Sequence, residues 1–249
     1  IAKKIGKIDL FLSNFNHAGK IMHPNLESKN IKADLIKNYQ ENLTFFDIKF
    51  LIPFASYHYY RAPESLEQNK FMIELNELDI LGNKTIPLKL GNTIDYNQDT
   101  EVFLIKETYK IEPNIKTILE RKTKTNYEEI ALCSENFIRN TNIRFFNFVK
   151  LLRPLYIEIY DLGIVTKLSF RNSRLLKTKN DFYHISIHSN ALIDWFSQPF
   201  GTDKLAVGAH FKISKFGRGP LIKYILVGEL IDNKLDFKSF AKMFLSIKG

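Results

Sequence analysis

Ile8-Asp9-Leu10-Phe11-Leu12, followed further along by Ile48-Lys49-Phe50-Leu51-Ile52-Pro53-Phe54, decides the reading of the fold. Each is a short apolar run bounded by turn-forming residues. Runs of this length fit a buried strand better than a helix. Between them Leu35, Ile36, Tyr39, Leu43 and Phe46 recur at helical spacing, which predicts a helix over about 28–45. Strand, loop, helix and strand make a β-α-β unit. Such units set their strands parallel, in a sheet covered on both faces. The chain is therefore expected to be α/β.

Outward from that unit, Leu66 to Leu75 reads as a short helix and Ile86 to Leu90 as a strand. Residues 106–124 are polar and basic and carry Pro113. They set the expected boundary between a domain at 1–110 and an α+β domain at 111–249. Thr125 and Glu128 have capping-box spacing, so a helix is expected from there towards Val149. Tyr156 to Tyr160 and Ile164 to Phe170 flank Asp161-Leu162-Gly163, a hairpin turn. Phe182 to His188 alternates in polarity, and Ser189 is placed to cap a helix through Phe196. Leu205 to Ile213 and Ile222 to Leu226 read as strands, with Gly217-Arg218-Gly219-Pro220 as a turn between them. Asp236 is expected to cap a final helix ending near Ile247.

The bulk composition narrows the function. With 249 residues and 45% hydrophobic content, the chain can bury a real core. Its single cysteine, Cys133, forbids an intrachain disulfide, which fits a reducing, cytoplasmic setting. No apolar run reaches the ~18 residues of a membrane helix, and no secretory signal pattern stands out. The formal charge of +9 suits a polyanion such as nucleic acid. However, the basic residues are scattered and do not interleave with aromatics as on an RNA-binding sheet. A nucleic-acid-binding protein is thus the third reading.

Six histidines invite a search for metal. No His-Glu-x-x-His or Cys-x-x-Cys motif occurs. His184 and His188 share one face of a strand but stand about 13 Å apart, too far to hold one ion. They read as a polar strand face. His17 and His23 lie in the loop after the first strand, and Ser56, Tyr57 and His58 lie in the loop after the second. In a parallel sheet both loops leave carboxyl ends, where sites gather. The three histidines there either converge or are plain surface residues. Ser56 lacks a nucleophile elbow, and Cys133 reads as packing.

The two strand sequences carry a resemblance. Ile8-Asp9-Leu10-Phe11-Leu12, the loop and helix, then Leu51-Ile52-Pro53-Phe54-Ala55-Ser56, and then Asn69-Lys70-Phe71-Met72 follow in an order that resembles the C-terminal half of the metallo-β-lactamase fold. The likeness is to the branch holding ascorbate-lactonase-like enzymes and the catalytic domain of CMP-sialic acid hydroxylase, and it spans about residues 5–100. Ser189 to Leu192 and Phe200 to Gly208 are similar to a sterol-carrier-like α+β module. The resemblance implies the C-terminal half of an αββα sandwich plus a smaller α+β domain, with zinc or iron at the sheet edge activating water or supplying a redox centre. The family's His-x-His-x-Asp-His string is absent from this sequence, and upstream residues are expected to supply it in a longer chain. A family ligand normally follows the Ile-Pro strand. Ala55 cannot serve, and His58 is the candidate substitute.

These readings converge on part of a metal-dependent hydrolase or oxygenase-like protein. His58 is its candidate metal ligand. His17, His23, Ser56, Tyr57 and Asn69 are the candidate contacts to a small-molecule substrate. A non-catalytic module binding a small molecule or lipid is the alternative. The sequence leaves substrate, reaction and oligomeric state open.

Overall fold

A computed structural model of the chain describes residues 7–16, 31–54, 60–86, 88, 92–97, 102–107, 125–145 and 147–232. Over these residues the protein mixes helix and strand, as the sequence predicts. They divide into two compact units. One holds the described residues up to 61 together with 67–107. The other holds 62–66 together with 125–232.

The first unit contains the expected β-α-β element. β1 (Ile8–Asn14) and β2 (Ile48–Phe54) pair in parallel, with Ile8 opposite Ile48 and Asn14 opposite Phe54. α1 (Ile31–Phe45) connects them. Tyr39 of α1 is buried with Phe15, Leu51, Ile73 and Leu78, and Leu35, Ile36 and Leu43 pack around that cluster. These are the positions whose spacing predicts the helix. Asp47 takes a left-handed conformation where α1 turns into β2. Two 3-10 segments follow, Leu66–Phe71 and Leu75–Lys84, instead of one α-helix over 66–75. Ile86 donates its N–H to the Leu51 carbonyl at 2.8 Å, beside a single bridge between Leu51 and Thr85. The rest of the strand expected at 86–90 lies largely outside the described residues. β3 (Asn92–Asn97) and β4 (Val102–Glu107) form an antiparallel pair.

The second unit is built on a five-stranded sheet. β5 (Leu155–Ile159) and β6 (Ile164–Leu168) form the expected hairpin, with Gly163 at φ +63° in its turn. β7 (Leu176–Thr178), β8 (Ile185–Ile187) and β9 (Phe211–Ile213) complete the order β7-β6-β5-β8-β9. Only the β5–β8 pairing is parallel. Among the described residues, four α-helices belong to this unit: α2 (Tyr127–Arg144), α3 (Ser189–Ser197), α4 (Gly201–Gly208) and α5 (Arg218–Asp232). Ile157, Ile159, Leu168, Ile185, Trp195, Phe211 and Leu221 share one buried core. Phe170 stacks on Tyr224 at 5.0 Å between ring centroids. The Tyr224 hydroxyl sits within hydrogen-bonding distance of the Leu168 carbonyl, at 3.0 Å.

Four sequence expectations change here. The run 205–213 is mostly helix α4, with only Phe211–Ile213 extended. The run 222–226 lies inside α5, because Leu221, Tyr224, Ile225 and Gly228 are buried at helical spacing. Gly217 to Pro220 is therefore a helix entry. Pro220 sits in the first turn, where its missing N–H costs nothing. Gly217 is required there, since a Cβ would meet the His184 carbonyl oxygen at 1.8 Å. Finally, α2 is capped by Asn126, which accepts from the Glu129 N–H at 3.1 Å, and not by Thr125. The helix expected at 236–247 lies outside the described residues.

Candidate functional site

The register of β1 on β2 places two carboxyl ends side by side, Asn14 opposite Phe54. The segments carrying His17 and His23, and Ser56, Tyr57 and His58, begin just past those ends. All five residues lie outside the described residues. The chain on either side of them is described, and one stretch anchors both. Asn16 uses both ends of its amide on Ile73. Its Nδ2 donates to the Ile73 carbonyl at 3.0 Å, and its Oδ1 accepts the Ile73 N–H. Asn69 does the same to Tyr60, accepting its N–H and donating to its carbonyl, each at 2.8 Å.

An asparagine amide has one acceptor and one donor edge, as a peptide unit has. Each therefore acts as a one-residue strand, fastening a chain that has left the sheet. Asn69 was expected to touch substrate. The structure shows both ends of its amide bound to the backbone of Tyr60. Asn16 makes the matching pair of bonds to Ile73. No motif announces it, because a single asparagine after a strand is ordinary turn chemistry.

Among the described residues, no group of three or more His, Cys, Asp or Glu side chains could hold a metal ion. The described part of the first unit thus offers no donor set of its own.

His184 and His188 are structural. The Tyr156 N–H donates to His184 Nδ1 at 2.9 Å. Burial pushes the His184 imidazole below its ordinary range. His188 caps α3, its Nδ1 accepting from the Asn190 N–H at 3.1 Å. That replaces the expected Ser189 cap. Ser189 instead binds Asp161 twice, through its N–H at 2.8 Å and its hydroxyl at 2.6 Å. His188 Nε2 stands 3.5 Å from the same carboxylate. Ser, His and Asp meet here, but serine and histidine both face the aspartate. A nucleophilic relay needs the serine on the histidine. This arrangement ties the β5–β6 turn to the start of α3.

Three hollows open on the second unit. One of 420 Å³ is bordered by Arg139, Lys150 and Arg171. One of 380 Å³ lies beside Arg153, Pro220 and Lys223. The third, of 320 Å³, is bordered by α2, α3 and α5 and is lined by Cys133, Phe137, Trp195, Phe196, Thr202 and Asp232 among others. Cys133 is no nucleophile there. Burial pushes its thiol up, and the Glu129 carboxylate adds to that.

No family model, curated protein or solved structure matches the chain. Among the described residues, no helix is long and apolar enough to cross a membrane.

Proposed function

We propose that this chain is part of a metal-dependent hydrolase or oxygenase-like protein, with its first unit forming the later half of a metallo-β-lactamase-like αββα sandwich. One observation carries the reading. Two parallel strands end in register, and residues of a single stretch, Asn69 and Ile73, fasten the chain that has left each of them. Active sites of open α/β sheets collect at such carboxyl ends. His58 would be a metal ligand, and His17, His23, Ser56 and Tyr57 would contact substrate. Zinc or iron would supply an activated water or a redox centre. His58 would be one of its ligands.

The test is metal content. Full-length protein produced with added zinc or iron is expected to retain metal through gel filtration. His58→Ala is expected to lower the stoichiometry at least twofold, as read by plasma mass spectrometry. Unchanged metal content in that variant rejects His58 as a ligand.

A second reading is favoured by the 320 Å³ cavity in the second unit, whose wall mixes aromatic and polar side chains. Small-molecule sites have this make-up. The α+β unit would then be a binding module for a small organic ligand. A thermal shift with a library of small polar and apolar compounds tests it, and a uniformly flat response counts against it.

A further inference from the structure

Two polar atoms in the wall of the 320 Å³ cavity have no partner among the described residues. Trp195 is 2% exposed and its indole Nε1–H donates to nothing. Asp232 Oδ2 is buried and accepts nothing. Both residues line the cavity. A buried donor or acceptor left unsatisfied costs about 1–3 kcal/mol, and native proteins leave few of them. One at each of two positions facing the same space calls for a ligand that offers an acceptor to the indole and a donor or a positive charge to the carboxylate.

The remaining wall defines that ligand further. Phe137 stands 6.0 Å from Trp195 and 5.2 Å from Phe196 between ring centroids, and Trp195 and Phe196 stack at 5.2 Å. These three rings give the cavity an aromatic side. Asp232 gives it a negative one. Thr202 and the Phe200 backbone hydrogen-bond to the Asp232 carboxyl and fix it. Burial pushes the Asp232 carboxyl above its ordinary range, and the negative charge of Asp203 adds to that. A bound cation would relieve that repulsion. Aromatic rings combined with a carboxylate are the chemistry that recognises organic ammonium ions. Gly228 keeps the far wall thin, because a Cβ there would strike Thr202 Oγ1 at 2.1 Å.

We propose that this cavity binds a small organic ammonium ion that carries a hydroxyl or carbonyl oxygen. The ammonium group faces Asp232 and the aromatic rings, and the oxygen accepts from the Trp195 indole. This rests on the reading of the second unit as a small-molecule-binding module, and it names the ligand class.

Trp195 is the chain's single tryptophan, so its fluorescence reports on this cavity alone. The experiment titrates the whole chain with choline and, separately, with its neutral isostere 3,3-dimethyl-1-butanol. Choline is expected to shift the emission saturably, and the isostere to bind about tenfold more weakly or worse. Asp232→Asn is expected to weaken choline by a similar factor and leave the isostere unaffected. Phe137→Leu, a milder change, is expected to weaken choline as well. Circular dichroism establishes that both variants fold. Equal response to choline and the isostere, or choline binding unchanged in Asp232→Asn, overturns the ammonium assignment and keeps the binding-module reading. No emission change with either probe overturns the assignment too. The module reading then falls only if the compound library also leaves the melting temperature unmoved.

Discussion

His184, read from the sequence as part of a polar strand face, is held by the backbone on both sides of it. Its imidazole accepts a backbone N–H from Tyr156 through Nδ1. Its carbonyl accepts from Ser214 and is the oxygen that a Cβ on Gly217 would strike. Burial disfavours the charged ring, so its folded pKa lies below the ordinary 6.5. The unfolded chain then takes up the proton first as pH falls. Stability is therefore expected to be full above about pH 6.5 and to decline below it, levelling off once the folded ring is protonated. Urea midpoints taken from pH 7.5 down to 5 check this, with His184→Gln as the control that flattens the slope. A slope unchanged in that variant would assign the dependence to other groups. Sequence order singled out Asn69, yet only coordinates reveal that both ends of its amide are bound to Tyr60.

At the scale of elements, legibility followed periodicity. β1, α1 and β2 were readable because their apolar positions repeat cleanly and turn chemistry bounds them. The β5–β6 hairpin was readable for the same reason. The stretch 205–226 misled because Val207, Ile222, Ile225 and Val227 favour strands locally. Burial of Leu221, Tyr224, Ile225 and Gly228 against the core overrides that preference. The junction between α4 and β9 carries a visible cost. Ala209 is fully buried at φ 49°, a conformation that disfavours any residue with a Cβ. Ala209→Gly is expected to raise stability by about 1 kcal/mol, less the added freedom of glycine in the unfolded chain. Chemical denaturation measures this, and a loss of stability would mean that the methyl group's packing outweighs the strain. The cavity residues were not legible at all. Phe137, Trp195 and Asp232 are far apart in sequence, and each reads alone as core or helix end.

For the molecule as a whole, the expected boundary near 110 is only part of the division. Residues 62–66 group with the second unit, although the chain around them belongs to the first. Glu64, 1% exposed, accepts from the Tyr160 hydroxyl at 3.2 Å. Tyr160 in turn packs edge-on to His188. A buried acceptor of this kind is worth about 1–3 kcal/mol when its partner is removed. Glu64→Ala is expected to destabilise the second unit by about that much. In a double-mutant cycle with Tyr160→Phe, the two losses should sum to more than the loss in the combined variant. Strict additivity would show that the pair does not interact.

That insertion also bears on how the protein is made. Residues 62–66 leave the ribosome long before β5, β8 and α3, with which they share a unit. At about 5–20 residues per second, the delay until residue 189 has been added is roughly 6–25 s. For roughly the first 5–19 s of that interval Glu64 has been synthesised without Tyr160. The first unit therefore has time to close around its own parallel strand pair while this short segment waits, and translation speed through the middle of the message becomes a variable that sets folding yield.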